Sequence, residues 1–242
     1  MATAAIPTIA ASVVIGDRKK VKSKMNLALK LAMIVAIPAA MGIGVLGDNI
    51  LLMLFPTYPD GGMLLKVGAI SIAFLSLCQI VTGVLQGIGK IYIPVIGALL
   101  GAVVKVVLNY LLISKPEINV IGAVISTDVC YLVAAVFNII MLGKFTKTKL
   151  YISEILVKPT LCSIVMGLGC VGAYKILSLV FGNTISTLIS ILIGIVIYLI
   201  SMLLINGITE KDLKAVPKGE KLAEILMKRQ LMKSDRNRFK QN

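Results

Sequence analysis

Residues 184–208 read TISTLISILIGIVIYLISMLLINGI, twenty-five positions without one charged side chain. Wound as an α-helix, such a stretch is about 37 Å long, enough to cross the roughly 30 Å hydrocarbon layer of a bilayer. Five similar runs precede it, at 31–55, 63–89, 91–113, 120–143 and 159–182. The whole chain has the same character: 58% of its residues are hydrophobic and its mean hydropathy is +0.97, far above a soluble domain. Its 242 residues therefore divide into bilayer crossings and connectors rather than globular domains. The expected fold is all-α: a polytopic membrane helix bundle of six transmembrane helices. Residues 2–15 are apolar but too short for a crossing, and read as the end of a preceding helix.

The charges sort by side. Arg18, Lys19, Lys20, Lys22, Lys24 and Lys30 precede the first span, Lys90 follows the second, Lys144, Lys147, Lys149 and Lys158 follow the fourth, and ten more Lys or Arg follow the sixth. That places 21 basic residues on one side, against Lys66 and Lys115 on the other. The positive-inside rule then puts both termini in the cytoplasm. It also accounts for the net charge of +14 without nucleic acid, for which no basic fold is present. The expected organisation is a helix end and basic linker over 1–30, four spans over 31–143, a linker over 144–158, two more spans over 159–208 and a basic tail over 209–242. Within the tail, 220–232 has one apolar helical face ringed by lysines and arginines, suited to lying on anionic lipid.

Several chemistries are disfavoured. The chain has no histidine, hence none of the usual general base, neutral-pH switch or commonest metal ligand. Cys78, Cys130, Cys162 and Cys170 lie inside apolar stretches without CxxC spacing and read as packing residues, not a disulfide framework or zinc site. Gly167, Gly169 and Gly172 spell GxGxxG, but within a span and without a strand before them, so helix packing is expected, not a cofactor. Gly97 and Gly101 form a GxxxG pattern suited to close helix approach. No catalytic residue, cofactor or metal is expected.

Polar residues within spans carry more information, because a charge in hydrocarbon faces a partner or a hydrated cavity. Lys105 and Asp128 each lie eight residues, about 12 Å, from the outer end of neighbouring antiparallel spans. They are candidates either for an intramembrane ion pair or for a substrate path, with Lys105 facing an anionic headgroup. Gln86 and Asn109 are weaker polar cavity candidates, since an amide can bond to a neighbouring helix. Pro38, followed by Gly42 and Gly44, is a candidate hinge.

The order AAIPTIAASVVIGD, VLQGIGKIYIPV, KVVLNYLLI and INVIGAVISTDVCY resembles the stage V sporulation protein B and polysaccharide-biosynthesis family of the multidrug/oligosaccharidyl-lipid/polysaccharide exporter superfamily. The resemblance extends to the closing DLKAVPKGEKL and covers only the C-terminal half of such a protein, from the end of its eighth helix to its fourteenth. It implies a bacterial plasma-membrane flippase with two six-helix lobes and two further helices, moving lipid-linked oligosaccharide or cell-wall precursor by alternating access. The partners implied are the bilayer, a lipid-linked sugar, and an N-terminal lobe in the same or another chain. Without that lobe no cavity closes, and this chain alone should move nothing. The alternatives are half of a cation-coupled multidrug antiporter, for which Asp128 would be the telling carboxylate, and a non-transporting membrane scaffold or remnant.

Overall fold

The structure, a computed structural model, describes residues 6–57, 61–115, 118–147 and 150–208. Among these there is no strand, and the chain forms seven α-helices: α1 (Ile6–Val14), α2 (Arg18–Leu54), α3 (Gly62–Gly87), α4 (Tyr92–Ile113), α5 (Asn119–Thr146), α6 (Lys158–Leu177) and α7 (Asn183–Leu204). A π-helical turn, Ser153–Val157, leads into α6. Six of these helices are long and apolar enough to cross a membrane. Large apolar side chains project from their outer faces, among them Leu99, Val106, Leu168 and Leu192, as in a bundle solvated by hydrocarbon.

The first crossing differs from expectation. The basic stretch 18–30 is not a linker but the opening turns of α2, a single 37-residue helix about 55 Å long. The chain breaks at Gly16, whose φ of +78° suits a residue without Cβ. The Asp17 side chain then caps α2, accepting a hydrogen bond from the Lys20 N–H at 3.1 Å. Val21, Met25, Ala28 and Leu29 bury one face of the extension, together with Lys30, while Lys19 and Lys20 are exposed and Lys22 and Lys24 half-buried. That N–H and the Lys20 ammonium hold the Asp17 carboxyl below its ordinary value; a capping carboxylate also offsets three basic residues at a helix N-terminus. Pro38 lies inside α2 without ending it.

Neighbours in sequence are not always neighbours in space. α2 packs on α3, and α3 on α5, whereas α4 scarcely touches α3 and lies against α5. On the other side of α2 stands the α6–α7 hairpin. The spatial order is thus hairpin, α2, α3, α5, α4, with α1 against α2 and α3. One core joins α1, α2, α3, α5 and the π-turn around Met25, Leu29, Met33, Val81, Val84 and Leu142. A second joins the later part of α2 to the hairpin through Leu46, Cys162, Met166, Cys170, Tyr198 and Met202. Gly167 faces Met41 and Val45 of α2, while Gly169 faces Ile197 of α7, so two glycines of the GxGxxG pattern serve packing on two sides of α6. The Gly97–Gly101 pattern is occupied within the chain, by Asn138 and Cys130 of α5.

Short polar side chains in a bundle must find internal partners, since hydrocarbon offers none. Ser126, Thr127, Thr146, Ser163, Thr187 and Ser190 donate to the carbonyl four residues back on their own helices. At one end of the bundle, Lys30 of α2 meets Glu154 of the π-turn at 3.7 Å, and Glu154 lies 4.0 Å from Lys158. The Tyr151 N–H donates to Asn26 at 2.7 Å, and Lys22 sits 4.5 Å over the Tyr151 ring. These contacts fasten the connector to the α2 extension. Residues 209–242, including the expected interfacial helix, lie outside the described residues.

Candidate functional site

α3 and α5 run parallel and touch at three polar points. Nearest the start of both helices, the Ser71 hydroxyl of α3 donates to Asp128 of α5. Further along, the Asn138 amide donates to Thr82 at 3.4 Å and to the Cys78 sulfur at 3.7 Å. The other end of the Asn138 amide points at Gly97 of α4 and has no conventional donor; a Cα–H of glycine is the kind of weak donor that recurs at close helix crossings. One buried amide thereby ties three helices together.

The contact continues beyond Ser71 and Asp128, where a Cβ on Gly68 of α3 would lie 3.2 Å from Val124 of α5. A groove of about 480 Å³ opens there, lined by residues that include Ile43 of α2, Leu64 and Gly68 of α3, and Ala123, Val124 and Thr127 of α5. Its wall is almost entirely apolar apart from Ser71 and Thr127. Asp128 itself is 7% exposed and does not line the groove; its partner Ser71 does. A buried carboxylate fed by a single hydroxyl, at that depth, is suited chemically to taking up a proton or a small cation.

The structure does not join Lys105 to Asp128. Among the described residues the ion pairs are Lys20–Asp17, Lys30–Glu154, Lys158–Glu154 and Lys66–Asp48. Counting residues along each helix sets the level of a side chain but not the direction in which it points. α5 meets α4 through Gly122 against Leu112 and Cys130 against Gly101. Asp128 precedes Cys130 by two residues, about 200° around a helix with 3.6 residues per turn, and so turns away from α4 toward α3. Lys105 stays on α4, half-buried, while the acid is bonded to Ser71 of α3.

Asn109, one turn beyond Lys105, is half-buried and its side-chain oxygen is shielded without a hydrogen-bond partner. Gln86 is exposed at the end of α3, outside the bundle interior. Pro38 is half-buried within α2. Ser71 carried no distinguishing signal in the sequence, since a serine in a span bonds to its own helix more readily than to another. Lys66 and Asp48 were legible as charges at span ends; their pairing across the α2–α3 hairpin was not. Among the described residues no group of three or more His, Cys, Asp or Glu converges as a metal site, and all four cysteines are free thiols.

Six bilayer-length helices with charged residues held inside the bundle define a polytopic α-helical membrane protein. Residues 1–194 match the sequence profile of the family described as lipid II flippase MurJ, and the chain belongs to that family. It is 28% identical over 239 residues to a Bacillus subtilis (strain 168) protein named uncharacterized membrane protein YabM, covering 95% of this chain and 44% of the relative. It is 30% identical over 186 residues to the lipid II flippase MurJ of the same organism, covering 75% of this chain and 33% of the relative. A solved structure of lipid II flippase MurJ in an inward closed conformation superposes with a TM-score of 0.67 at 21% identity, over 83% of this chain and 42% of that one. That likeness establishes the shared fold. The chain thus spans less than half the length of the curated relatives it matches.

Proposed function

We propose that this chain supplies the C-terminal half of a flippase that carries a lipid-linked sugar precursor of the cell envelope across the bacterial plasma membrane. The observation that carries this reading is the family match over residues 1–194, in a chain less than half as long as its relatives. Its branch is that of the stage V sporulation proteins, on the sequence resemblance. An N-terminal lobe, in the same or another polypeptide, completes the cavity, and both ends of this chain face the cytoplasm, as its 21 to 2 distribution of basic residues supports. The basic tail rests on anionic lipid. The protein is a transporter and not an enzyme: it moves a headgroup without making or breaking a covalent bond.

Lys105 is the residue of this half assigned to the anionic headgroup. It is half-buried, lies well inside its span and has no carboxylate partner among the described residues. The test is a flipping assay in proteoliposomes with fluorescent lipid II as cargo, comparing the complete protein, this chain alone and the complete protein carrying Lys105→Ala. The complete protein flips, this chain alone does not exceed empty vesicles, and Lys105→Ala lowers the rate about tenfold or more, the loss of one charge-assisted contact, with expression unchanged. Flipping by the isolated chain, or a Lys105→Ala variant that loses expression but not rate, would sink the reading. Asp128 favours a second one, half of a cation-coupled antiporter. Cation-driven drug efflux by the complete protein without lipid II movement would select it.

A further inference from the structure

A proline inside a helix removes one N–H and leaves the carbonyl four residues earlier without its backbone donor. In α2 the proline is Pro38 and the orphaned carbonyl belongs to Ile34. Within hydrocarbon such a group costs free energy unless another donor reaches it. The donor present is the hydroxyl of Tyr198, from α7, 2.8 Å from the Ile34 oxygen.

We infer that Tyr198 is a positioning residue that fixes α2 at its proline turn, and that the α6–α7 hairpin is a clamp on that helix. Most hydroxyls of the bundle are satisfied by their own helices, whereas this one crosses to a different helix and meets the one carbonyl that a proline has freed in mid-span. The ring that carries it is 5% exposed, packed among Leu46, Cys162, Met166 and Met202, so the hydroxyl is held in place and not merely within reach.

The same hairpin grips α2 at both other levels. Beyond Pro38, the Asn183 amide at the start of α7 donates to the Asn49 carbonyl of α2 at 3.0 Å, and its oxygen accepts from Tyr174 of α6 at 2.8 Å. Before Pro38, Lys158 at the start of α6 donates to the Asn206 carbonyl just past α7 at 3.3 Å, while Glu154 beside it reaches Lys30 of α2. From Lys30 to Asn49 the three attachments cover nineteen residue steps of α2, about 28 Å, nearly a bilayer core. A proline turn pinned above, below and at its own orphan carbonyl does not hinge while the hairpin is seated. Freedom at Pro38 therefore requires the Tyr198 bond to break, which makes the hairpin the element that locks or releases α2.

A double-mutant cycle tests this, using the 242-residue chain in lipid nanodiscs. Tyr198→Phe removes only the hydroxyl, and Pro38→Ala restores an N–H to Ile34. Two readouts are taken: the melting temperature, and the distance distribution between spin labels carried by ketone-bearing residues at the exposed α2 positions Ser23 and Leu52, which leaves the native cysteines in place. Tyr198→Phe lowers the melting temperature by ~2–6 °C, as expected for one orphaned buried acceptor, and broadens the distance distribution. In the Pro38→Ala background the same substitution produces less than half of each effect. Equal effects in both backgrounds, or no effect beside the native proline, overturn the inference. Should Tyr198→Phe alone fail to yield folded protein, recovery of folding with Pro38→Ala supports it and loss in both backgrounds overturns it.

Discussion

Gly101 is the tightest backbone contact between α4 and α5, and the smallest possible enlargement there measures how α4 is held. A Cβ at Gly101 would lie 2.7 Å from the Cys130 carbonyl oxygen and 3.0 Å from its sulfur. The carbonyl belongs to the α5 ladder and cannot turn aside. Restoring an ordinary contact of 3.4 Å moves α4 outward by the difference, about 0.7 Å, and a gap of that size forfeits a quarter to a half of the dispersion attraction along the contact. Overpacking of this kind costs about 1–3 kcal/mol. A glycine-to-alanine change also gains up to ~1 kcal/mol in helix propensity, so a second glycine is needed as reference. Gly172 of α6 is that reference, since a Cβ there meets nothing within 4 Å. Thermal melting of the two variants in nanodiscs, followed by fluorescence-detected size exclusion of a fluorescent-protein fusion, compares them. Gly172→Ala melts at or slightly above the parent, and Gly101→Ala melts about 3–10 °C below Gly172→Ala. If Gly101→Ala melts at or above Gly172→Ala, α4 is not seated on α5 through this glycine, and the order of helices given above is wrong at that end.

Asn138→Leu removes the amide that ties α3, α4 and α5; it lowers stability by ~1–3 kcal/mol through the donors and acceptors left unpaired, and restoring an amide with Gln at the same position does not recover it, because the longer side chain has no room beside Gly97, as thermal melting will show. Lys30→Met breaks the pair with Glu154, but Glu154 is 38% exposed and keeps Lys158 nearby, so the loss is about 1 kcal/mol and not the larger figure of a sealed ion pair; a fall in melting temperature exceeding that of Gly101→Ala would contradict this. Asp17 has a depressed pKa in the folded chain because the Lys20 N–H and ammonium favour its carboxylate. Its capping contribution is therefore complete above the ordinary value of 3.8 and lost as pH falls through the lower folded value. The carboxyl 13C shift of Asp17 titrates with a midpoint below 3.8, and a midpoint at or above it refutes the cap.

What was legible in the sequence follows from which physical signal is local. The six crossings were plain because hydrocarbon demands an unbroken apolar run, and such a run is a property of one segment. The helical start of α2 was equally local and still escaped the charge-based reading: Gly16 and Asp17 form a helix stop followed by a cap, and Val21, Met25 and Leu29 keep helical spacing among the lysines. A dense basic cluster resembles a linker only if the apolar residues inside it are ignored. The candidate site was different in kind. Depth along a helix comes from counting residues, so Lys105 and Asp128 could be set at one level. The direction in which each side chain points depends on which helices are neighbours, and α4 rests against α5 and not against α3, which its sequence position does not dictate. Asp128 consequently met a serine that has no sequence signature, and Lys105 met no carboxylate among the described residues. The Tyr198 bond lies between these extremes. A proline in a span announces an orphan carbonyl at Ile34 from sequence alone, and so announces that some donor must be found; only the packing of α7 on α2 determines that the donor comes from 164 residues away. Mid-span prolines are therefore worth reading as unmet hydrogen bonds first and as hinges second, because whatever satisfies the carbonyl decides whether the hinge is free.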